Sequence, residues 1–242
     1  MATTIAHPTG QARSRTLIAP VWHTIVLVAF LCIPLISGFI VQHQKTPNNQ
    51  IFASHSVVMM RFYIPVIIYE WFLVLLVWFG IRGRGMTVRK LIGGRWSNAK
   101  DIAVDIGLGL LMVITMLIVG AALGWVLGPG HAKATTVILP QGGIELAVWL
   151  LVSFTAGVVE EFVCRGYLQT QLAGMGLPVT AAIFAQAVIF SIGHIYEGVN
   201  AVIVITVYAV LFGLLAWWRK SLRPGMIGHF CFDFLAAFLS RG

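Results

Sequence analysis

An all-α fold, a polytopic bundle of about seven (seven to eight) transmembrane helices, is what this sequence predicts, on three observations. Hydrophobic residues make up 59% of the 242-residue chain and charged residues 10%, against about 25% charged in a soluble globular domain. Nearly uncharged runs fall at about 19–42, 57–81, 102–128, 144–159, 178–193, 198–218 and 224–240. Several reach the ~20 residues that carry a helix across hydrocarbon. No two-residue alternation of apolar and polar side chains supports a barrel.

Residues 1–16 read as a disordered cytoplasmic leader. The run at 19–42 lacks a small-x-small cleavage site after it, so it reads as a retained helix rather than a signal peptide. The connection at 43–56 is polar and turn-rich around Pro47-Asn48-Asn49. The second run contains Glu70, an intramembrane carboxylate with no assigned role, for which Arg61 is one partner and the interior cavity another. The connection at 82–100 is basic and broken by Gly83, Gly85, Gly93 and Gly94, with room for a short interfacial helix. In the third run Gly120, Gly124 and Gly128 recur at spacing four, a groove for close helix packing. Pro129-Gly130 and Pro140-Gln141-Gly142-Gly143 mark a loop before the fourth helix. The chain therefore divides into 1–16, a scaffold of helices at 17–143, and a functional half at 144–242, all in one integrated membrane domain.

The formal net charge of +8 is distributed as topology signals rather than as a nucleic-acid surface. Arg82, Arg84, Arg89, Lys90, Arg95 and Lys100 share one connection, Arg219, Lys220 and Arg223 another, and Arg13 and Arg15 precede the first run. The positive-inside rule puts these on the cytoplasmic side, where they also meet anionic lipid headgroups. The connections around Lys45 and Lys133 are then outside, with the N-terminus in and the C-terminus out. Trp78, Trp96, Trp217 and Trp218, near helix ends, read as interfacial anchors. Cys32, Cys164 and Cys231 show no metal-ligand spacing and read as buried thiols.

Only eight residues are acidic, and two of them, Glu160 and Glu161, stand side by side in an apolar segment. Each costs ~2.5–3.5 kcal/mol to insert at a helix centre. Glu161 and Arg165, four apart, can pair on a helix, while Glu160 lies ~100° around and is free to face another neighbour. Phe190 and His194 close the fifth run, and His229 and Asp233, again four apart, lie on one face of the last. With Gln171 as the cytoplasmic end of the fourth helix, Glu160 is ~16 Å in and His194 ~24 Å along the next helix. Convergence at one depth then needs tilted or broken helices.

A carboxylate beside an imidazole in an apolar cavity can take a proton from water and direct hydroxide to a carbonyl. A second imidazole can stabilise the oxyanion. A metal is the alternative: Glu160, His194, His229 and Asp233 are the residues that would hold Zn²⁺ or another divalent cation, with a position open for water. No His-Glu-x-x-His helix is present.

Taken in order, Glu160-Glu161-x-x-x-Arg165, Phe190-x-x-x-His194 and His229-x-x-x-Asp233 resemble the CPBP family of intramembrane proteases. That family comprises CAAX prenyl endopeptidases and bacterial Abi or bacteriocin-processing relatives. The resemblance covers about 144–240. It implies that Glu160 is the general base, acting on water with His194. Glu161 and Arg165 then support the site, and His229 with residue 233 stabilises the oxyanion. Position 233 is Asp here, as in many bacterial members, where the eukaryotic branch has Asn. An ionised Asp cannot donate to an oxyanion, so it is protonated, orients His229, or holds a metal. Both metal-dependent and glutamate-dependent mechanisms are described for the family. The resemblance further implies a peptide or protein substrate cleaved near the membrane, and a multi-pass protein of a bacterial-type inner membrane. Two other classes compete: a non-catalytic immunity or binding protein on the same fold, and a proton-coupled transporter using the same groups as a relay. Glu197, just past His194, reads as a loop or interface residue.

Overall fold

The computed structural model describes residues 16–36, 58–128 and 138–239. The expected leader, apart from Thr16, and the turn-rich 43–56 connection lie outside the described residues, as do positions 129–137 of the loop before the fourth helix. All regular structure among the described residues is helical. Helix α1 is Val21–Leu31. A π-helical turn, Met59–Tyr63, leads into α2, Ile64–Arg82. Then come α3 (Val88–Ile92), α4 (Ala99–Leu127) and α5 (Gly143–Glu160), which continues through a second π segment, Glu161–Leu168, into α6 (Gln169–Gly174). Helix α7 is Val179–Ile192, a 3₁₀ turn spans Ile195–Glu197, and α8 (Val199–Arg219) and α9 (Arg223–Leu239) complete the order.

Every expected apolar run contains helix, but not all at spanning length. Four helices are long and apolar enough to cross a membrane: Met59–Arg82, Ala99–Leu127, Gly143–Gly174 and Val199–Arg219. Val21–Ile36 and Val179–Ile192 are shorter apolar helices. The last helix is outside both groups; it has 17 residues and carries Arg223, His229 and Asp233 among its apolar side chains. The fourth helix extends past its apolar run, as an end at Gln171 requires: the run stops at the carboxylates, and the helix continues through them to Gly174. All eight residues of Glu161–Leu168 are buried, so this segment is the axis around which the other helices stand. A helix buried on every side is ordinarily apolar all round; here Glu161 and Arg165 are tolerated because they face each other.

The outer surface is apolar. Trp125, Ile118, Phe184, Ile68 and Leu111 are all more than half exposed, as expected of side chains facing lipid rather than water. The inner core runs from Leu27 through Val77 and Ile81 to Phe162, Val163 and Tyr167. The scaffold is tied to the central helix by hydrogen bonds. His23 donates from Nε2 to the Leu76 carbonyl at 2.8 Å, which makes Nδ1 the acceptor for Tyr167 Oη at 2.8 Å. Thr24 in turn donates to Tyr167 at 3.0 Å. Gln171 bridges the chain at Ile18 and Ala19, accepting from both amides and donating to the Ala19 carbonyl.

The basic connections meet. The amide of Leu222 bonds the Ile92 carbonyl, Arg223 bonds the Gly94 carbonyl and stacks on Trp96, and Arg219 Nε donates to Asp105 at 2.9 Å. Val88–Ile92 supplies the short helix expected in the basic connection. It is N-capped by Thr87, whose hydroxyl accepts from the Lys90 amide, and closed by Gly93 at φ 106°.

Close packing is achieved at glycines other than most of those expected. Gly120 does face the Tyr208 hydroxyl, but Gly128 faces open space. The tight crossing is α4 against α9. A Cβ on Gly109 would lie 2.8 Å from Ile227, and one on Gly228 would lie 2.9 Å from the Gly109 carbonyl. On the other side of α9, a Cβ on Gly157 would be 2.6 Å from the Phe230 amide nitrogen. Helix α9 is thus seated between α4 and α5, and this seat brings His229 to the carboxylates.

Candidate active site

Three elements build the site. The end of α5 and the π segment after it deliver Glu160, Glu161 and Arg165; α9 delivers His229 and Asp233; α2 delivers Glu70. A π turn widens the helix by one residue and is frequent at functional sites. Here it begins at Glu161, between the two carboxylates.

Glu161 is fully buried and its Oε1 lies 3.1 Å from Arg165 Nη1, the pair expected from their spacing. The same oxygen accepts from His229 Nδ1 at 3.2 Å. That bond sets the ring: with Nδ1 donating to Glu161, Nε2 points to the other side, 3.5 Å from Glu160 Oε2 and 3.5 Å from Asp233 Oδ2. Phe212 stacks on the imidazole with centroids 5.3 Å apart. The ring is therefore held on its face and at both edges.

Arg165 is 2% exposed, and its guanidinium lies over the Phe190 ring at 4.7 Å and the Phe212 ring at 5.4 Å. Cation–π contacts in a desolvated setting are worth ~2 kcal/mol or more, part of what a buried guanidinium needs. Phe190 thus carries this cation as well as standing beside His194. Gly225 clears the space beside Glu161, because a Cβ there would lie 2.9 Å from Glu161 Oε2.

His194 is placed differently from the rest. It follows the end of α7 in a bend leading to the 3₁₀ turn, so the fifth helix is broken here, as convergence in depth required. Nδ1 donates to the Phe190 carbonyl at 3.3 Å, leaving Nε2 as an acceptor. Burial pushes the imidazole down to about 4, so it is neutral across the physiological range. Its ring lies beside Phe190 and stacks over Tyr196.

Glu160 is the carboxylate that Arg165 does not take. Its side chain is 16% exposed, and it shares a side-chain hydrogen bond with Glu70. Glu70 is thus a site residue that sequence reasoning left without a role. Arg61, the alternative partner, is exposed. Glu197 also comes nearer than expected: it hydrogen-bonds Tyr196 and lies in the field of Asp233, and burial raises its carboxyl to about 7.

Among the described residues no group of three or more His, Cys, Asp and Glu side chains is arranged to hold a metal ion. Of the residues expected to hold one, Glu160, His229 and Asp233 meet, and the Nδ1 bonds of His229 to Glu161 and of His194 to Phe190 leave the Nε2 atom of each ring free of those partners.

Residues 142–235 match the family described as Type II CAAX prenyl endopeptidase Rce1-like. The matched segment begins at the N-cap of α5 and ends two residues past Asp233, so it contains each of the three sequence motifs and excludes Glu70. Neither the curated proteins nor the solved structures return a match.

Proposed function

Because residues 142–235 form a domain of the Rce1-like CAAX endopeptidase family, we propose that the protein is an intramembrane endopeptidase acting on membrane-associated peptides or proteins. The observation that carries the mechanism is the division of labour between neighbouring carboxylates. Arg165 neutralises Glu161, and Glu160 is left beside His229 Nε2 at 3.5 Å.

Glu160 takes a proton from a water held between itself and the Nε2 lone pair of His194. The resulting hydroxide attacks the scissile carbonyl carbon. Negative charge develops on the carbonyl oxygen, and His229, as the imidazolium with its Nδ1–H held by Glu161, donates to it from Nε2. As the tetrahedral intermediate collapses, the C–N bond breaks and Glu160 returns its proton to the leaving amine, giving a free acid and a free amine. Asp233 Oδ2, 3.5 Å from His229 Nε2, orients the imidazole and does not itself donate. Glu161 fixes the ring from its other edge.

The apolar shell around the site favours this chemistry, since charge interactions strengthen where water is excluded. The membrane placement follows the same reading. The seven helical segments are taken as membrane segments, with the basic connections at 82–100 and 219–223 on the cytoplasmic side. Their contact through Leu222–Ile92 and Arg223–Gly94 supports a shared side.

The test is cleavage of a library of membrane-anchored fluorogenic peptides by purified, liposome-reconstituted protein. The expected result is cleavage by the wild type, lowered roughly 10²–10⁴-fold in kcat by Glu160→Gln, the usual worth of a general base. Failure of the wild type to cleave any peptide or membrane-anchored protein offered would overturn the proposal and favour a binding or immunity role.

A further inference from the structure

Where the two basic connections meet, they enclose a polar cavity of about 100 Å³. Gly93 permits the approach: at its positive φ, a Cβ would lie 2.6 Å from the Lys220 carbonyl oxygen and 2.7 Å from Ser221 Cα. Lys220 itself is left-handed, at φ 52°, which ends α8 and turns the chain into α9. Arg95, Arg219, Lys220 and Arg223 line the cavity, with Asp101 as the carboxylate among them.

The bonds already made hold these groups and leave donors over. Arg219 meets Asp105 through Nε at 2.9 Å, so its two Nη groups remain for another acceptor. Trp96 donates from Nε1 to the other oxygen of Asp105 at 2.7 Å, and Asp101 accepts from the Ser97 amide at 3.1 Å. Arg223 is fixed by the Gly94 carbonyl and by stacking on Trp96. Ser221 Oγ accepts from the Arg223 amide and from its Nη1, so the hydroxyl proton is left to donate. Arg95 and Lys220 are exposed. Counting Asp105 behind the wall, four cations face two carboxylates. The excess of positive charge and the guanidinium forks suit the oxygens of a phosphate group.

The source of the phosphate follows from depth. Trp217 and Trp218, on the last turn of α8 beside the cavity, are 53% and 66% exposed, and Trp96 is part of the cavity wall. Exposed indoles at the ends of membrane helices settle at the level of the headgroups, where lipid phosphates are concentrated. We propose that this cavity binds one phosphate group of an anionic membrane lipid, held by Arg95, Arg219, Lys220 and Ser221. An occupied site ties the connection after α3 to the first turn of α9, the helix that carries His229. Lipid binding here is independent of peptide cleavage.

The full-length protein in non-ionic detergent is titrated separately with phosphatidylglycerol, phosphatidylcholine and inorganic phosphate. Bound lipid is counted by native mass spectrometry, and thermal unfolding is measured in parallel. Arg95→Gln with Lys220→Asn removes two lining cations, and asparagine tolerates the left-handed backbone at 220. Arg89→Gln with Lys90→Gln removes the same charge from exposed positions outside the cavity. Wild type is expected to retain one phosphatidylglycerol in preference to phosphatidylcholine. The cavity variant is expected to weaken that retention roughly 25-fold, at about fivefold per basic residue, while the control pair stays near wild type. Should the cavity variant melt lower without lipid, Arg95→Gln alone, outside any helix, is expected to lose about fivefold. Equal losses in the cavity and control pairs would reduce the effect to general charge attraction and overturn the site. Equal retention of the two lipids would overturn it as well. Stabilisation by inorganic phosphate that the cavity variant loses, with no lipid retained, would support a phosphate site but overturn the lipid as its occupant.

Discussion

Arg165→Met removes the cation from a fully buried ion pair and leaves its anion in place. Glu161 is 0% exposed, 3.1 Å from the guanidinium, and its remaining bond to His229 cannot offset a full charge. Breaking a buried pair in this way costs ~3–5 kcal/mol. The guanidinium also lies over Phe190 and Phe212 at 4.7 and 5.4 Å, contacts worth ~0.5–2 kcal/mol each. A loss of at least ~3 kcal/mol is therefore expected, read by reversible unfolding of the detergent-solubilised protein in increasing SDS. The discriminating variant is the double change Arg165→Met with Glu161→Leu. Replacing both ions by apolar groups of similar size removes the desolvation cost along with the attraction, so much of the lost stability is expected to return. Activity is not expected to return, because His229 has lost the acceptor that sets its ring. A single variant costing under ~1 kcal/mol, or a double variant no more stable than the single, would refute this reasoning.

Further outcomes follow from the same geometry. Gly157→Val places side-chain atoms where a Cβ already lies 2.6 Å from the Phe230 backbone. It should push α9 from α5 and lower both stability and peptide cleavage, whereas Gly107→Ala, facing open space on α4, should be nearly silent in cleavage. Asp233→Asn keeps the shape of a group that orients His229 without its charge. It should reduce kcat by less than Glu160→Gln does, and a larger loss in the same assay would give Asp233 the base's role. Glu197 has a carboxyl raised from 4.5 to about 7, so the folded state holds that proton more tightly than the unfolded. Its contribution favours folding most below pH 4.5 and is lost as pH rises toward 7. Glu197→Gln should flatten that part of the stability–pH curve measured by thermal unfolding. If Glu160 and His194 are the whole water-activating apparatus, cleavage survives strong chelation; loss on chelation with recovery on added Zn²⁺ would instead show that a metal takes part.

The reach of sequence reasoning differs between elements. Glu161–Arg165 and His229–Asp233 were legible because residues four apart on a helix share a face, and the observed contacts follow that rule. The fourth helix was expected to end near Gln171, and it runs to Gly174 although hydropathy falls at Glu160 and Glu161. The π segment within it was hidden, because it is set by packing on all sides and carries no pattern of its own. Gly157 and Gly225 look like ordinary glycines until α9 is placed against them. Glu70 was visible as an anomaly, a carboxylate in a long apolar run, but its partner is 90 positions away and on another helix. The orientation of His194 was not legible, because the Nδ1 bond to the Phe190 carbonyl that leaves Nε2 as the acceptor follows from the bend after Ile192.

The central claim is that Glu160 activates the attacking water. Single-turnover cleavage of a membrane-anchored peptide by reconstituted wild type and Glu160→Gln, followed across pH, tests it most directly. The variant is expected to bind the peptide as wild type does but to lose roughly 10²–10⁴-fold in the cleavage step. Cleavage by Glu160→Gln at the wild-type rate would contradict it.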